Sequence, residues 1–380
     1  MRNGKMKAKL TAMILSAALL AGCTAAETSP ENKARIISSY TNVSDSGMLF
    51  SDSVGRLNFF DFESMNSAVL CTRPNCTHSD SDACSSYGMT NHPILYGDDL
   101  LFFGTEIVEV QKDGKPEFSN VTTIYKADTD GTNRIAVQVI DGLYMPDIRM
   151  VLVGDTAYFS MVKREFDEYG SYTGYEEAWL CSYNISTNEF RKIEKTYEGY
   201  HSGTWIYGYW NNKVYFSISY ADEFIPYPFG GGGDNLSDYF EQISAVTQNE
   251  YKVYDTESGA LTDSDLPEPL CIDGGYYVYD KDGAANVIKE NGEEMLLEDF
   301  QIPEVGNIYI YEDILFNYRN NVCADLSKSG EVKALNRDAD QYIKAYYNGS
   351  YIVSRDTVSG DGTVTDTQYE KVAIDQFIAG

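Results

Sequence analysis

The stretch Leu95-Tyr96-Gly97-Asp98-Asp99-Leu100-Leu101-Phe102-Phe103 sets the reading of the chain, because its pattern returns along the whole length. A pair drawn from Gly, Asp or Asn precedes a short apolar or aromatic run. It recurs as Gly154-Asp155 before Thr156 to Phe159, Asn211-Asn212 before Lys213 to Phe216, and Gly274-Gly275 before Tyr276 to Tyr279. Glu312-Asp313 before Ile314 to Phe316 and Asn348-Gly349 before Ser350 to Val353 follow, and Gly47 before Met48 to Phe50 is a worn first copy. Such pairs adopt positive φ with little strain and close β-hairpins, while Val, Ile, Tyr and Phe suit a pleated, buried surface.

Seven copies start at 47, 97, 154, 211, 274, 312 and 348, with steps of 50, 57, 57, 63, 38 and 36 residues. These bracket the ~40 to 50 residues of a four-stranded propeller blade. A large β-sandwich also repeats hairpins, but at about 8 to 12 residues per strand with no longer period. The expected fold is therefore an all-β β-propeller of seven blades over residues 34–380, with six or eight as alternatives. The count turns on whether 34–41 supplies the first inner strand or the outer strand of the last blade. Polar turns at Asp128 to Asn133, Asn184 to Asn188, Asp255 to Gly259 and Asp325 to Gly330 read as links between third and fourth strands.

Residues 1–22 read as a leader outside the fold. Arg2, Lys5, Lys7 and Lys9 form a basic start, and Leu10 to Leu20 an apolar run too short to span a bilayer. Leu20-Ala21-Gly22-Cys23 resembles the lipobox of bacterial lipoproteins, which implies cleavage before Cys23 and a lipid on its sulfur, with an ordinary cleaved signal peptide as the alternative. Acyl chains contribute about 0.8 kcal/mol per buried methylene, so two or more hold a domain on a membrane face. Residues 23–33 then read as a tether, and the expected location is the outer face of the cytoplasmic membrane.

The net charge is −29, and without the leader's four cations 25 basic residues face 58 acidic ones, a net −33. Nucleic acid and anionic headgroups are excluded as partners by repulsion. The charge serves solubility in a chain with 31 Tyr, and a monomer is expected. The Asp-x-Asp-Gly at Asp128 is half of a Ca²⁺ loop, but without the later acidic ligands it reads as a turn.

Three long copies carry extra residues at 106–120, 163–177 and 221–250, between second and third strands. By chain alternation these segments and the inter-blade loops emerge on one face, where repeat proteins often bind. The second insertion holds Tyr169, Tyr172 and Tyr175; the third holds Phe224, Tyr227, Phe229, Gly230 to Gly233, Tyr239 and Phe240. These rings are candidate ligand contacts for a glycan, peptide or protein, or alternatively plugs of the channel mouth.

Cys71-Thr72-Arg73-Pro74-Asn75-Cys76-Thr77-His78, followed by Cys84, lies between the first two copies. Three Cys and one His in the pattern C-x4-C-x-H-x5-C match the ligand set of a closed structural zinc site. A disulfide among Cys71, Cys76 and Cys84 is the competing expectation in an oxidising compartment. Cys181, Cys271 and Cys323 sit in apolar strand patterns as core residues; His92 and His201 are isolated, with His92 an alternate ligand.

With the lipobox, the Tyr-rich repeats and the Leu70 to His78 loop with Cys84, the chain resembles a group of functionally unassigned propeller lipoproteins of gut-dwelling Gram-positive bacteria. The Asp130-Gly131 and Asp282-Gly283 turns are similar to those of TolB-like propellers. The resemblance implies surface anchoring and a propeller, and no catalytic residues. G-x-S-x-G, H-E-x-x-H and P-loop signatures are missing, and Gly203-Thr204-Trp205 lacks the preceding Ser and Asp of a sialidase-type Asp box. The leading expectation is a lipid-anchored binding module. The alternative is a propeller-type hydrolase or lyase acting on polysaccharide or peptide, metal-assisted at the Cys/His loop.

Overall fold

The computed structural model describes residues 34–378 apart from 39–40, 53, 80–83, 90–91, 113–114, 142–143, 167–171, 227–233, 303–307, 329, 339 and 360–363. The leader, Cys23 and the tether lie outside the described residues, as do Tyr169, Tyr227 and Phe229.

After β1 (Arg35–Ser38), strands follow in antiparallel meanders. The first sheet is β2 (Thr41–Val43), β3 (Gly47–Ser51), β4 (Leu57–Asp61) and β5 (Asn66–Val69). The second is β6 (Ile94–Tyr96), β7 (Asp99–Lys112), β8 (Lys115–Asp128) and β9 (Ile135–Asp141). Two further meanders are fused in one eight-stranded sheet, β10 (Tyr144–Val153), β11 (Thr156–Phe166), β12 (Tyr172–Asn184), β13 (Glu189–Trp210), β14 (Lys213–Ala221), β15 (Thr247–Asp255) and β16 (Leu261–Asp263), with β1 at the β10 edge. Then come β17 (Pro269–Asp273), β18 (Tyr276–Lys281), β19 (Ala284–Lys289) and β20 (Glu294–Gln301). The next sheet is β21 (Ile308–Tyr311), β22 (Ile314–Asn317), β23 (Val322–Asp325) and β24 (Val332–Ala334). The last is β25 (Gln341–Tyr347), β26 (Ser350–Val358) and β27 (Val364–Ala373). Helix α1 (Asp234–Val246) lies between β14 and β15, and α2 (Ile374–Phe377) follows β27.

Six of the seven repeated pairs are two-residue turns between the first two strands of a meander. Tyr96 pairs with Asp99, Val153 with Thr156, Trp210 with Lys213, Asp273 with Tyr276, Tyr311 with Ile314 and Tyr347 with Ser350. Asn211 and Asn212 hold φ at 49° and 60°, Gly274 and Gly275 at 57° and 83°, and Asn348 and Gly349 at 47° and 78°. Both positions being left-handed is the condition for a type I′ turn, whose twist matches that of the strands it joins. The worn copy differs: Gly47 lies in β3 opposite Asp61, without left-handed backbone. A Cβ there would collide with the Phe60 carbonyl and the Phe59 ring, so close approach of β4 selects the glycine.

Two arrangements depart from the repeat. Residues 35–38 form neither an inner strand of the first sheet nor an outer strand of the last: β1 pairs with β10, Ile36 opposite Val151, and of the described residues up to Thr41 only Thr41 itself belongs to the first sheet, as the start of β2. Strand β13 serves two meanders, pairing with β12 up to Tyr200 and with β14 from Tyr200 onward.

Separate buried clusters join neighbouring meanders. Leu49 and Leu57 meet Leu100 and Phe102, Phe103 meets Phe159 at 5.2 Å, and Trp210 meets Tyr277 at 5.4 Å. Phe316 contacts Tyr351 at 5.5 Å, and Phe60 of the first sheet contacts Tyr369 of the last at 4.4 Å. Edge-on and tilted ring pairs add ~0.5–1.5 kcal/mol each beyond area burial.

Gly47→Ala is expected to destabilise the fold by roughly 2–4 kcal/mol through overpacking. Gly349→Ala, where an added Cβ meets nothing within 4 Å but φ is +78°, is expected to cost about 1 kcal/mol. Urea unfolding of both variants checks the order; equal losses would contradict the distinction.

Candidate metal centre

Between β5 and β6 the chain runs from Leu70 to Pro93 with no strand among its described residues, so their conformation rests on turns and side chains. The N–H of Leu70 donates to the Leu57 carbonyl at 3.0 Å, and that of Cys71 to the Val69 carbonyl at 2.8 Å. Arg73-Pro74-Asn75-Cys76 then turns back, with the Cys76 N–H on the Arg73 carbonyl at 3.2 Å and Asn75 at φ 60°. Proline followed by a left-handed Asn is what a type II turn asks for. The turn carries Cys76 back toward Cys71, and His78, itself at φ 56°, follows two residues on.

The far side of the loop is tied to β4. The Leu57 N–H donates to the Ser86 carbonyl at 2.9 Å, and Arg56 and the Tyr87 hydroxyl both donate to the His78 carbonyl at 3.1 Å. Arg56 is oriented by Asp52 at 2.6 Å. Burial opposes ionisation of Asp52, yet donors from Arg56, Asn58 and Val54 prevail and hold its carboxyl below the usual range.

The outcome is that one donor atom each from Cys71, Cys76, His78 and Cys84 lies within 4.8 Å of the others. His78 Nδ1 is 3.4 Å from Cys84 Sγ, and that sulfur is 2.9 Å from Ser86 Oγ. A tetrahedral ion with metal–sulfur bonds of about 2.3 Å and metal–nitrogen bonds of about 2.0 Å needs edges near 3.5–3.8 Å. The group therefore can hold a metal ion after a contraction of about 1 Å or less. Cys84 is buried and the other three are half-buried. All six described cysteines are free thiols.

Electrostatics prepares one sulfur. Burial opposes ionisation of Cys71, but hydrogen bonds from Ser85, the Arg73 and Ser85 backbone and Cys76 outweigh it and bring the thiol to about 6. The His78 N–H favours a Cys76 thiolate, but burial and the neighbouring Cys71 and Cys84 overcome it and raise that group. Burial pushes Cys181 up to about 12 and Cys323 to about 11, as core thiols should behave.

Outside the ligands, Thr72 donates to Asp130, and Arg134 donates to the carbonyls of Ser85 and of Tyr87, the latter at 2.9 Å. Burial and Arg73 lower Arg134, while Cys84 acts the other way, which places the Arg134 guanidinium in the field of the cluster. Three thiolates and a neutral imidazole around a divalent ion would carry one net negative charge, which the nearby arginines, Arg73 and Arg134, would offset. They also line a cleft of about 470 Å³ with Cys84, Ser85, Tyr87 and Thr132. Within the Asp128 turn, Asp130 accepts from Thr132 at 2.9 and 2.6 Å, and Asp128 from Asn133 at 2.7 Å.

Contacts with the Asp128–Arg134 turn correct one expectation. The Cys/His loop does not share the face of the first insertion but reaches the other end of the β7–β8 hairpin, whose outermost pair, Lys112 and Lys115, is ~40 Å of strand away. Alternation fixes where an inter-sheet loop begins and ends, and leaves the path of a long loop open. The insertions themselves extend the β7–β8 and β11–β12 hairpins, and the third contains α1.

Of the aromatic candidates, Tyr175 and Phe224 are brought together through Tyr200, with centroids 5.4 and 5.6 Å apart. Gly174, at φ +86°, leaves the space Phe224 occupies. Phe224 and Phe240 are 43% and 62% exposed, and Tyr239 lies 5.5 Å from Phe240. The side chains of Tyr172 and His201 lie outside the described residues. His92 is buried against Phe103 and is not one of the four clustered ligands.

No protein-family profile and no curated protein matches the chain. Among solved structures it is similar to an oligogalacturonate lyase in complex with manganese, at 11% identity and TM-score 0.34, covering 88% of this chain and 76% of that one. An apocarotenoid oxygenase variant from Synechocystis gives 10% identity and TM-score 0.38 over 90% and 72%. The WD40 domain of SCAP from fission yeast gives 10% and 0.32 over 90% and 78%. Likeness at this level says nothing about what the chain binds or does.

In metal-free protein, Cys71 is expected to be the first thiol alkylated by iodoacetamide at pH 7. Its rate should rise with pH through a midpoint near 6, against 9.0 for an ordinary thiol, because lowering the pKa places the thiolate at neutral pH. Peptide mapping identifies the site; a midpoint near 9 would contradict the hydrogen-bonded thiolate.

Proposed function

We propose that the chain is a seven-bladed β-propeller, held by a lipid on Cys23 at the outer face of the cytoplasmic membrane, that acts as a binding module for a glycan, peptide or protein. A zinc ion on Cys71, Cys76, His78 and Cys84 fastens the loop between its first two blades. One observation carries this reading: four protein donors converge within 4.8 Å, all from that loop. Three thiolates with one imidazole suit zinc, and four protein ligands fill a tetrahedron, leaving no position for substrate or water. The centre is thus a fastener, and what the domain offers a partner is surface.

Seven meanders, with β13 counted in two of them, and the packing of the last sheet on the first support the blade count. The Tyr175–Tyr200–Phe224 cluster, which joins two insertions, supports a rim that contacts ligand. The lipid is supported by the sequence Leu20-Ala21-Gly22-Cys23.

The test is metal analysis of the full-length protein with a thiol count. One zinc per chain is expected, lost in Cys76→Ser and in His78→Ala. Chelation should remove about 3 kcal/mol of stability where free zinc had stood about a hundredfold above its dissociation constant. Absence of metal with two fewer titratable thiols would make the loop a disulfide and overturn the zinc reading.

A further inference from the structure

The first strands of successive meanders lie side by side, β10 against β13, β13 against β17 and β17 against β21. Their residues alternate. On β13 and β21, Ile206, Ile308 and Ile310 are buried at 1%, 7% and 5% exposure, whereas Trp205 and Tyr309 between them are 41% and 43% exposed.

A cation lies against them. Arg149 of β10 places its guanidinium carbon 4.7 Å from the centre of the Trp205 ring. No hydrogen bond or ion pair joins that guanidinium to another of the described residues. Burial lowers its pKa, and the groups that act on it are Cys271, Tyr309, Asp273 and Tyr207, from three neighbouring first strands. Stacking fixes the plane of a guanidinium and leaves its in-plane donors directed outward, the geometry that grips a carboxylate with two parallel bonds. Acceptors stand near: the Tyr207 hydroxyl donates to Glu268, and Asp273 accepts from the Gly274 N–H at 2.8 Å.

We propose that Arg149, Trp205, Tyr207 and Tyr309 form a binding site for an acidic sugar. Trp205 stacks on the apolar face of the sugar ring, Arg149 takes its carboxylate, and the carboxylates of Asp273 and Glu268 accept its hydroxyls. In a chain of net charge −29 an anion binds only where a local cation is held ready, so the preference for an acid resides in Arg149. The inference rests on the binding-module reading and moves its ligand from the insertion rim to the first strands. It does not involve the metal centre.

Calorimetry on the full-length protein in detergent, with sialyllactose, a glucuronate-containing disaccharide and lactose, tests it. An acidic sugar should bind roughly tenfold or more tighter than lactose, with the difference weakened by salt. Arg149→Gln should remove the preference and Arg149→Lys restore part of it, which separates loss of recognition from loss of fold. Trp205→Ala should weaken binding of both sugar classes. Equal binding of acidic and neutral sugars, binding of neither acid, or a preference that survives Arg149→Gln would overturn the proposal. Binding lost in Phe224→Ala but kept in Trp205→Ala would also overturn it, while leaving the binding module standing at the rim.

Discussion

The chain must reverse within two residues at the start of each meander while keeping the strands' right-handed twist, and residues that tolerate left-handed backbone meet that constraint. Asn211-Asn212, Gly274-Gly275 and Asn348-Gly349 do so at both positions, and Glu312 accepts φ 55° at the first. Once these turns fix the register of the first hairpin, alternation along each strand decides which side chains face the next sheet. Phe103, Trp210, Phe316 and Phe60 all reach a neighbouring meander in this way. Burial of these rings supplies the driving force, and the turns supply the geometry.

Where the chain passes from the first sheet to the second, no turn of that kind helps. The described residues of 70–93 hold their course by hydrogen bonds to Leu57, Arg56 and Arg134 and by burial of Met89. Those contacts bring three sulfurs and an imidazole to one point, where each thiolate would repel the others without a cation among them. A metal ion held there would convert that repulsion into the strongest set of bonds in the loop, and so tie the loop to both sheets.

The hairpin turns, the turns between third and fourth strands, the position of the insertions and the grouping of Cys71, Cys76, His78 and Cys84 were all legible in the sequence, because each depends on a short run of special residues. Other features depend on partners that no local pattern names. Nothing in Arg35-Ile36-Ile37-Ser38 points to β10. Strand β13 passes from one meander into the next without a hairpin turn, so no turn residues mark the boundary; Gly199 and Gly208 within it hold φ at 157° and 159°. Helix α1 was hidden behind the glycine tract at 230–233, which reads as loop. Gly47 looked like one more turn and answers instead to the close approach of Phe59 and Phe60. Arg149 and Trp205, 56 residues apart in sequence, show nothing in common until the first strands are set side by side.

The most direct test of the account is X-ray absorption at the zinc edge on protein purified without added chelator. The geometry predicts three sulfurs at about 2.3 Å and one nitrogen at about 2.0 Å, with no oxygen in the first coordination sphere. A sphere with one or more oxygens would mean an open site and a reactive metal, contradicting a structural fastener between the first two sheets.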